Sequence, residues 1–556
     1  MKKILLFVLS LLALAQLNFA QNFEWANGMG SASYEEGRSI AVDAQGNVFT
    51  TGIFQGTVDF DPSVGVFPLT SAGFVDVFVT KVDASGNLVW ALGIGGSQYE
   101  EAFGIALDDS ANIFITGSYI GTFDFDPGVD TTFLNFAGGN DVFVCKLDSS
   151  GNLVWASSIG GPGGEEGTSV AVDDAGNVYS TGSFNGTTDF DPGIGTFNLT
   201  AGTQSIYVSK LDVSGNFVWA KKMGGTLADI GKSIALDPSG NVITTGYFYG
   251  DVDFDPGTGI SYLTAVGDWN AFVSKLDAAG NFLWAKVLGN AFDSRGFGVK
   301  TDASGNIFAT GYFIGTSDFD PNAGTSNLTS AGMQDIYVAK LDENGNLIWA
   351  KSMGGAGNDQ GNSIALDGTA NVFVTGYFNG SADFDPSGAV HTMTSGGLED
   401  IFITKLDNNG NFSWATGFGG TVDDIGTSIA VVALQNIYAT GHFYGTVDFD
   451  PSTGVSNLYS NSVSADIYVL KLSATVVSID ESGAGASIVV YPNPASTSIA
   501  VKSEEPISSI SIFNLVGELV QYETTSSFDV EHLSAGLYFL QISTETGIKT
   551  ARLIKE

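Results

Sequence analysis

One cysteine and three histidines are all that 556 residues supply of the types from which most metal centres and many nucleophilic sites are built. A single cysteine forms no internal disulfide. Cys145 stands where other copies of a repeat described below carry Thr80, Ser209, Ser274, Ala339 and Thr404, so it reads as a small packed residue. His391, His442 and His532 fall in unrelated contexts and form no metal-binding pair, and no glycine-rich phosphate loop is present. Positive charge is also scarce, with 21 Lys and Arg against 60 Asp and Glu and a net charge of -39. That balance excludes nucleic acid and anionic membrane surfaces as partners held through their backbone charge. It favours solubility, divalent cations or basic partners. Beyond residues 4–14 no apolar run approaches the roughly 20 residues that span a bilayer, and no helical periodicity of any length appears.

What the chain has in quantity is glycine and aromatic side chains: 73 Gly, 40 Phe and 18 Tyr, with only 15% charged residues. This composition suits many short strands joined by tight turns. The first 20 residues, with Lys2 and Lys3 before the apolar run and small and polar residues after it, have the layout of a secretory signal peptide cut after Ala20.

The core Asp-Phe-Asp-Pro then recurs seven times, its first residue at Asp59, Asp124, Asp189, Asp253, Asp318, Asp383 and Asp448. The spacing is 65 residues (124 − 59 = 65) in all but one interval, which is 64 (253 − 189 = 64). Each copy must therefore occupy an equivalent place in a repeated unit. In the first unit, residues 39–43 and 48–54 form one hairpin through Ala44-Gln45-Gly46-Asn47, and 76–82 and 88–92 a second through Ala84-Ser85-Gly86-Asn87. A long connection between them carries Asp59 to Pro62.

Four strands per unit, repeated seven times, predict an all-β, seven-bladed β-propeller with four-stranded blades over residues 21–477. An open solenoid is the rival, and the ends of the array decide against it. Trp marks the fourth strand at Trp25, Trp90, Trp155, Trp219, Trp284, Trp349 and Trp414, so the first Trp precedes the first complete unit and the last unit lacks one. The N-terminal strand around Trp25 can supply the missing fourth strand of the last blade and remove the exposed edges. Together, the Asp-Phe-Asp-Pro loop, the Lys-Leu-Asp strand end, the Gly-Asn turn and the Trp-Ala strand resemble the SBBP-type β-propeller repeats of exported bacterial proteins.

Residues 478–487 are a small, polar linker, and residues 488–556 carry short apolar or alternating segments that predict a small β-sandwich. Their ordered motifs are Tyr491-Pro492-Asn493-Pro494, a segment ending in Gly517, a second around Gly536, and a last run from Lys549 to Lys555. They closely resemble the C-terminal sorting domain of the type IX secretion system. That resemblance implies passage through the periplasm, recognition by the secretion machinery at the outer membrane, and release or attachment of the propeller at the cell surface.

Three groups of residues are candidates for chemistry. The loop aspartates Asp59 and Asp61, with Asp124 and Asp126, Asp189 and Asp191, Asp253 and Asp255, Asp318 and Asp320, Asp383 and Asp385, and Asp448 and Asp450, offer hard oxygens that suit Ca2+. The same aspartates are also turn formers, or partners of the equally regular Lys81, Lys146, Lys210, Lys275, Lys340, Lys405 and Lys471. Ion pairs are favoured, because a hard-cation site needs more oxygens than the motif shows. A second set, Glu35, Glu100, Glu165, Asp229, Asp359 and Asp424, holds one repeat position and is expected to make one face acidic and able to bind, with Ser294 the exception. His442 replaces Ile53, Ser118, Ser183, Tyr247, Tyr312 and Tyr377 of the other repeats.

No assembled catalytic set emerges. The expectation is an exported, noncatalytic binding or scaffold module for an extracellular polysaccharide or protein, with no certain cofactor. The alternative is an extracellular enzyme acting on a polymer.

Overall fold

The structure is a computed structural model that describes residues 21–474, apart from 129, 291, 433–435 and 461–463, and residues 489–555, apart from 504, 514–518, 535 and 545–546. The expected signal peptide (residues 1–20), the expected linker 478–487 and Gly517 lie outside the described residues. Among the described residues every regular element is a strand, and no helix is long and apolar enough to cross a membrane. The chain forms two compact units, one of them Gln21–Ala474 and the other containing the C-terminal strands.

The described chain opens with β1 (Gln21–Met29), and the first repeat follows as β2 (Glu36–Val42), β3 (Val48–Phe54), β4 (Thr57–Asp59), β5 (Pro68–Thr70), β6 (Asp76–Val82) and β7 (Leu88–Gly96). β2, β3, β6 and β7 pair antiparallel in that order. The turns close because an aspartate caps them: Asp43 Oδ1 accepts from Gln45 N at 3.0 Å and Asn47 N at 2.8 Å, and Gly46 takes a φ of 83° that favours glycine. β2 begins three residues before its expected start, because a bulge between Gly37 and Ser39 keeps the strand paired past the irregularity. Opposite the bulge a Cβ on Gly52 would lie 1.9 Å from the Glu36 carbonyl oxygen, so only glycine fits.

The connection after β3 is more ordered than a loop. β4 and β5 pair as a short ribbon, and in the fourth repeat the ribbon merges with its neighbours into the continuous strands Val242–Asp253 and Tyr262–Leu276. The ribbon is pinned inward by Phe60, fully buried, whose ring lies 5.5 Å from Phe54 and 5.2 Å from Phe78.

The last repeat is completed from the other end of the chain. β1 pairs antiparallel with Asp466–Ala474, with Trp25 opposite Lys471, so the order there is Ile425–Val432, Asn436–Phe443, Asp466–Ala474, β1. Cores form between repeats rather than inside them: Ile40, Val48 and Phe78 of the first share a cluster with Tyr438, Ile467 and Val469 of the last. Such face-to-face burial is what a propeller-like arrangement of sheets provides.

The first strands are stitched to one another by serine. Ser39 Oγ accepts from Ile105 N, Ser169 Oγ from Ile234 N, Ser233 Oγ from Val299 N and Ser363 Oγ from Ile429 N, at 3.2–3.3 Å. Ser428 Oγ accepts from Ile40 N in the same way, linking the last repeat to the first.

In the C-terminal unit, a three-stranded sheet (Val489–Tyr491, Ser498–Lys502, Ser527–Asp529) and a four-stranded sheet (Leu519–Glu523, Ile507–Phe513, Gly536–Thr544, Gly547–Lys555) share one core. Ile499, Ile510, Ile512, Leu540 and Leu553 are buried in it.

Candidate functional site

The Asp-Phe-Asp-Pro carboxylates serve their own loops. Asp59 Oδ1 accepts from Asp61 N at 3.1 Å and Phe67 N at 2.7 Å, and Asp61 Oδ1 from Ser63 N at 2.9 Å. The first aspartate of every copy repeats this double acceptance: Asp124, Asp189, Asp253, Asp318, Asp383 and Asp448. Among the described residues no three His, Cys, Asp or Glu side chains gather as metal ligands.

The expected partnership of these loops with the lysines is corrected. Lys275 Nζ lies 2.8 Å from Asp237 Oδ2, Lys146 Nζ 3.7 Å from Asp108 and Lys210 Nζ 4.0 Å from Asp173, all of them hairpin-turn aspartates. The reason is register: the lysine lies near the end of the third strand, next to the turn and away from the ribbon. There it also covers an aromatic ring of the second strand, as Lys81 covers Phe49 at 4.9 Å.

The acidic face is corrected as well. Glu35, Glu100, Glu165, Asp229, Asp359 and Asp424 are at most 1% exposed, because the bulged strand turns them into the junction between repeats. Each accepts a backbone N–H from the residue four earlier, as Glu100 does from Gly96 at 3.1 Å. Burial raises the Glu100 carboxyl to about 7, and the neighbouring Asp76 adds to the effect. Glu35 behaves alike beside Asp466. At the junction where Ser294 stands, Asn270 replaces the facing acid and the pair bonds to backbone instead.

The structure assembles a different site. The first strands of all seven repeats line one cavity of about 490 Å3. At its mouth the repeats, elsewhere nearly alike, diverge: one position holds Arg38, Phe103, Thr168, Lys232, Phe297, Asn362 and Thr427. Arg38 is held by Glu36 Oε2 at 3.1 Å and Glu101 Oε2 at 3.3 Å and lies 4.5 Å over the Phe103 ring. Lys232 reaches Glu166 at 3.7 Å. Gln360 donates to Asn362 Oδ1 at 2.6 Å and accepts from the Tyr377 hydroxyl. In the fifth repeat, off the cavity lining, Arg295 pairs with Asp293 at 3.2 Å and lies 5.0–5.6 Å over the rings of Tyr247, Trp269 and Tyr312.

His442 joins this mouth. It is 7% exposed, its Nδ1 lies 3.8 Å from Glu36 Oε1, and burial pushes its pKa down. His391 instead packs on the Phe412 ring at 4.9 Å, and His532 is exposed in the C-terminal unit. Sequence reasoning had singled out His442 but missed the rest, and the signal available was the column of residues that differ between repeats.

A second section of the cavity, about 480 Å3, is lined by the next-but-two residue of each first strand: Ala41, Ala106, Ala171, Ala235, Ala365 and Ala430, with Lys300 in the seventh place. Ile40, Ile105, Ile234 and Lys300 line both sections, so the two are continuous.

In the C-terminal unit, Asn493 fastens the motif to the last strand: its Nδ2 donates to the Arg552 carbonyl at 2.7 Å and its Oδ1 accepts from Ile554 N at 2.8 Å. Tyr491 is half exposed, Pro492 and Pro494 flank Asn493, Gly536 pairs with Lys555 and Ile542 with Lys549 across the sheet, and Lys555 is buried. Residues 489–556 match the secretion system C-terminal sorting domain. This is the sorting domain of type IX secretion, so the protein is exported and meets that machinery. The chain is 26% identical to an uncharacterized WD repeat-containing protein of Acanthamoeba polyphaga mimivirus, across 64% of this chain and 30% of that one. It is 24% identical to the regulatory protein FlaEY of Caulobacter vibrioides, across 84% of this chain and 49% of that one. The chain thus spans half or less of the length of these curated relatives. Among solved structures, Sqt1 from Chaetomium thermophilum is similar over 82% of this chain and all of that chain, at 10% identity and a TM-score of 0.39.

Proposed function

We propose that Gln21–Ala474 is a closed seven-bladed β-propeller of the SBBP-repeat kind that acts outside the cell as a noncatalytic binding or scaffold module. Its ligand, a polysaccharide or a protein, enters the axial cavity at the divergent mouth. Residues 1–20 act as the export signal, 478–487 as a linker, and the sorting domain delivers the propeller for release or attachment at the cell surface.

The observation that carries this reading is where the repeats differ. Turns, ribbons and junctions repeat with few changes, as folding requires, while charged, amide and aromatic side chains replace one another around the cavity mouth. A structural role alone would favour the same residue in every blade. Recognition of one asymmetric ligand by a ring needs different groups at successive positions. The charged groups at the mouth are mostly paired, Arg38 with Glu36 and Glu101 and Lys232 with Glu166, which suits fixed polar recognition better than proton transfer.

A screen of the purified protein against extracellular polysaccharides and proteins, recording both binding and cleavage, tests the reading. Binding without turnover supports it. Reproducible turnover abolished by a point change at the mouth would replace it with a polymer-degrading enzyme.

A further inference from the structure

Of the charged side chains that line the cavity, Lys300 stands apart. Arg38 is held between Glu36 and Glu101, and Lys232 faces Glu166. Lys300 has no hydrogen bond or ion pair among the described residues, and no neighbouring charge offsets the burial that lowers its pKa. Its side chain is reached by solvent yet encircled by protein, as befits a group projecting into a channel. The six equivalent positions are alanine, so neither the strand nor the junction between blades requires a lysine. Facing the channel with no protein carboxylate against it, the ammonium is left free to meet an anion. Its presence at one position of seven asks for an anion that arrives with the ligand.

The other groups in the cavity restrict what carries that anion. Phe103 and Phe297 place two aromatic rings at a lining they share with the amides of Gln360 and Asn362. Flat apolar faces in a lining that also carries side-chain amides suit a sugar ring, which presents C–H groups on one face and hydroxyls at its edge. One unpaired lysine matches a single negative charge, whereas a phosphate monoester would call for further cations. A cavity of about 490 Å3 lies within the roughly 300–1,000 Å3 of small-ligand sites. We infer that Lys300 anchors the carboxylate of a uronate unit whose sugar ring is received between the mouth and the alanine ring. This inference rests on the binding-module reading and names the ligand class of the same cavity.

Lys300→Ala is an unusually clean probe, because it installs the residue that six other repeats already carry. Calorimetric titration of the full-length protein and of Lys300→Ala with tri-galacturonate, its neutral methyl ester and acetate tests the assignment, with Tm measured for both forms. The parent should bind the acid at least about tenfold more tightly than the ester, as expected for loss of a charge-assisted hydrogen bond. The variant should bind acid and ester alike, with an unchanged Tm. Equal affinity of parent and variant for the acid, or equal affinity of the parent for acid and ester, would overturn the role of Lys300. Acetate displacing the trisaccharide at equal concentration would overturn the saccharide assignment. If tri-galacturonate fails while a neutral polymer binds in competition with changes at Phe103, this inference falls and the module reading stands. If nothing binds through the cavity, both fall.

Discussion

Ser428 Oγ accepts a hydrogen bond from Ile40 N at 3.3 Å across 388 residues of chain. It repeats the contact that Ser169 makes with Ile234, 65 residues away, at the same distance. Glu35 N donating to the Ala465 carbonyl at 3.0 Å repeats in turn the link from Glu100 N to Val75. The junction between last and first repeats is built like the internal ones. Ser428→Ala and Ser169→Ala should therefore cost the same, about 1 kcal/mol each, in chemical denaturation. A closing junction that contributes nothing would show Ser428→Ala as silent while Ser169→Ala is not.

Deleting Gln21–Met29 exposes the edge of Asp466–Ala474, which β1 covers over nearly its whole length. An unpaired edge strand of this length invites aggregation. The truncated protein should melt well below the parent and scatter light on heating, and an unchanged melting curve would contradict the closure.

The Lys275–Asp237 pair is the most enclosed of the ion pairs, with side chains 6% and 4% exposed. Lys275→Met leaves Asp237 buried beside an apolar group and should destabilise by about 3 kcal/mol. Adding Asp237→Asn should recover part of the loss. Recovery by Asp255→Asn instead would restore the loop aspartates as the partners.

Stability should fall as pH rises from 5 to 8. Burial first, and neighbouring acids second, raise Glu35, Glu100, Glu165, Asp335 and Asp424 to about 7, and burial alone does so for Asp229. Asp141 and Asp359 rise to about 6. Unfolded carboxyls titrate near 4, so between roughly pH 4.5 and 7 the folded chain holds more protons. Their favourable contribution is fully present below that window and lost as pH rises through the folded values. The turn aspartates Asp83, Asp148 and Asp212 shift downward and act only below the window, while buried His442 opposes the trend at one site. A Tm higher at pH 8 than at pH 5 would contradict the junction chemistry.

How much of this was legible in the sequence follows from what repetition encodes. The period, the four-strand unit, the Asp-capped Gly-Asn turn and the pairing of the Trp25 strand with the last repeat could be read, because each rests on local pattern or on counting. The burial of Glu35 and its equivalents could not, since a bulge after Glu36 redirects the strand and alternation no longer tells inside from outside. The partner of Lys275 is ambiguous in the sequence because turn and loop aspartates are equally regular, and only the position of the lysine along its strand separates Asp237 from the loop. The cavity mouth is not legible in the repeat pattern, because Arg38, Phe103 and Phe297 lie where the copies differ and no local motif marks them.

Polymer binding by a Phe103→Thr, Phe297→Thr variant tests the role of the mouth most sharply, because it places there the residue that the third and seventh repeats carry as Thr168 and Thr427. The variant should stay folded and lose affinity for the polysaccharide or protein the parent retains, and neither form should release products. Undiminished binding by the variant, or product release by the parent, would contradict it.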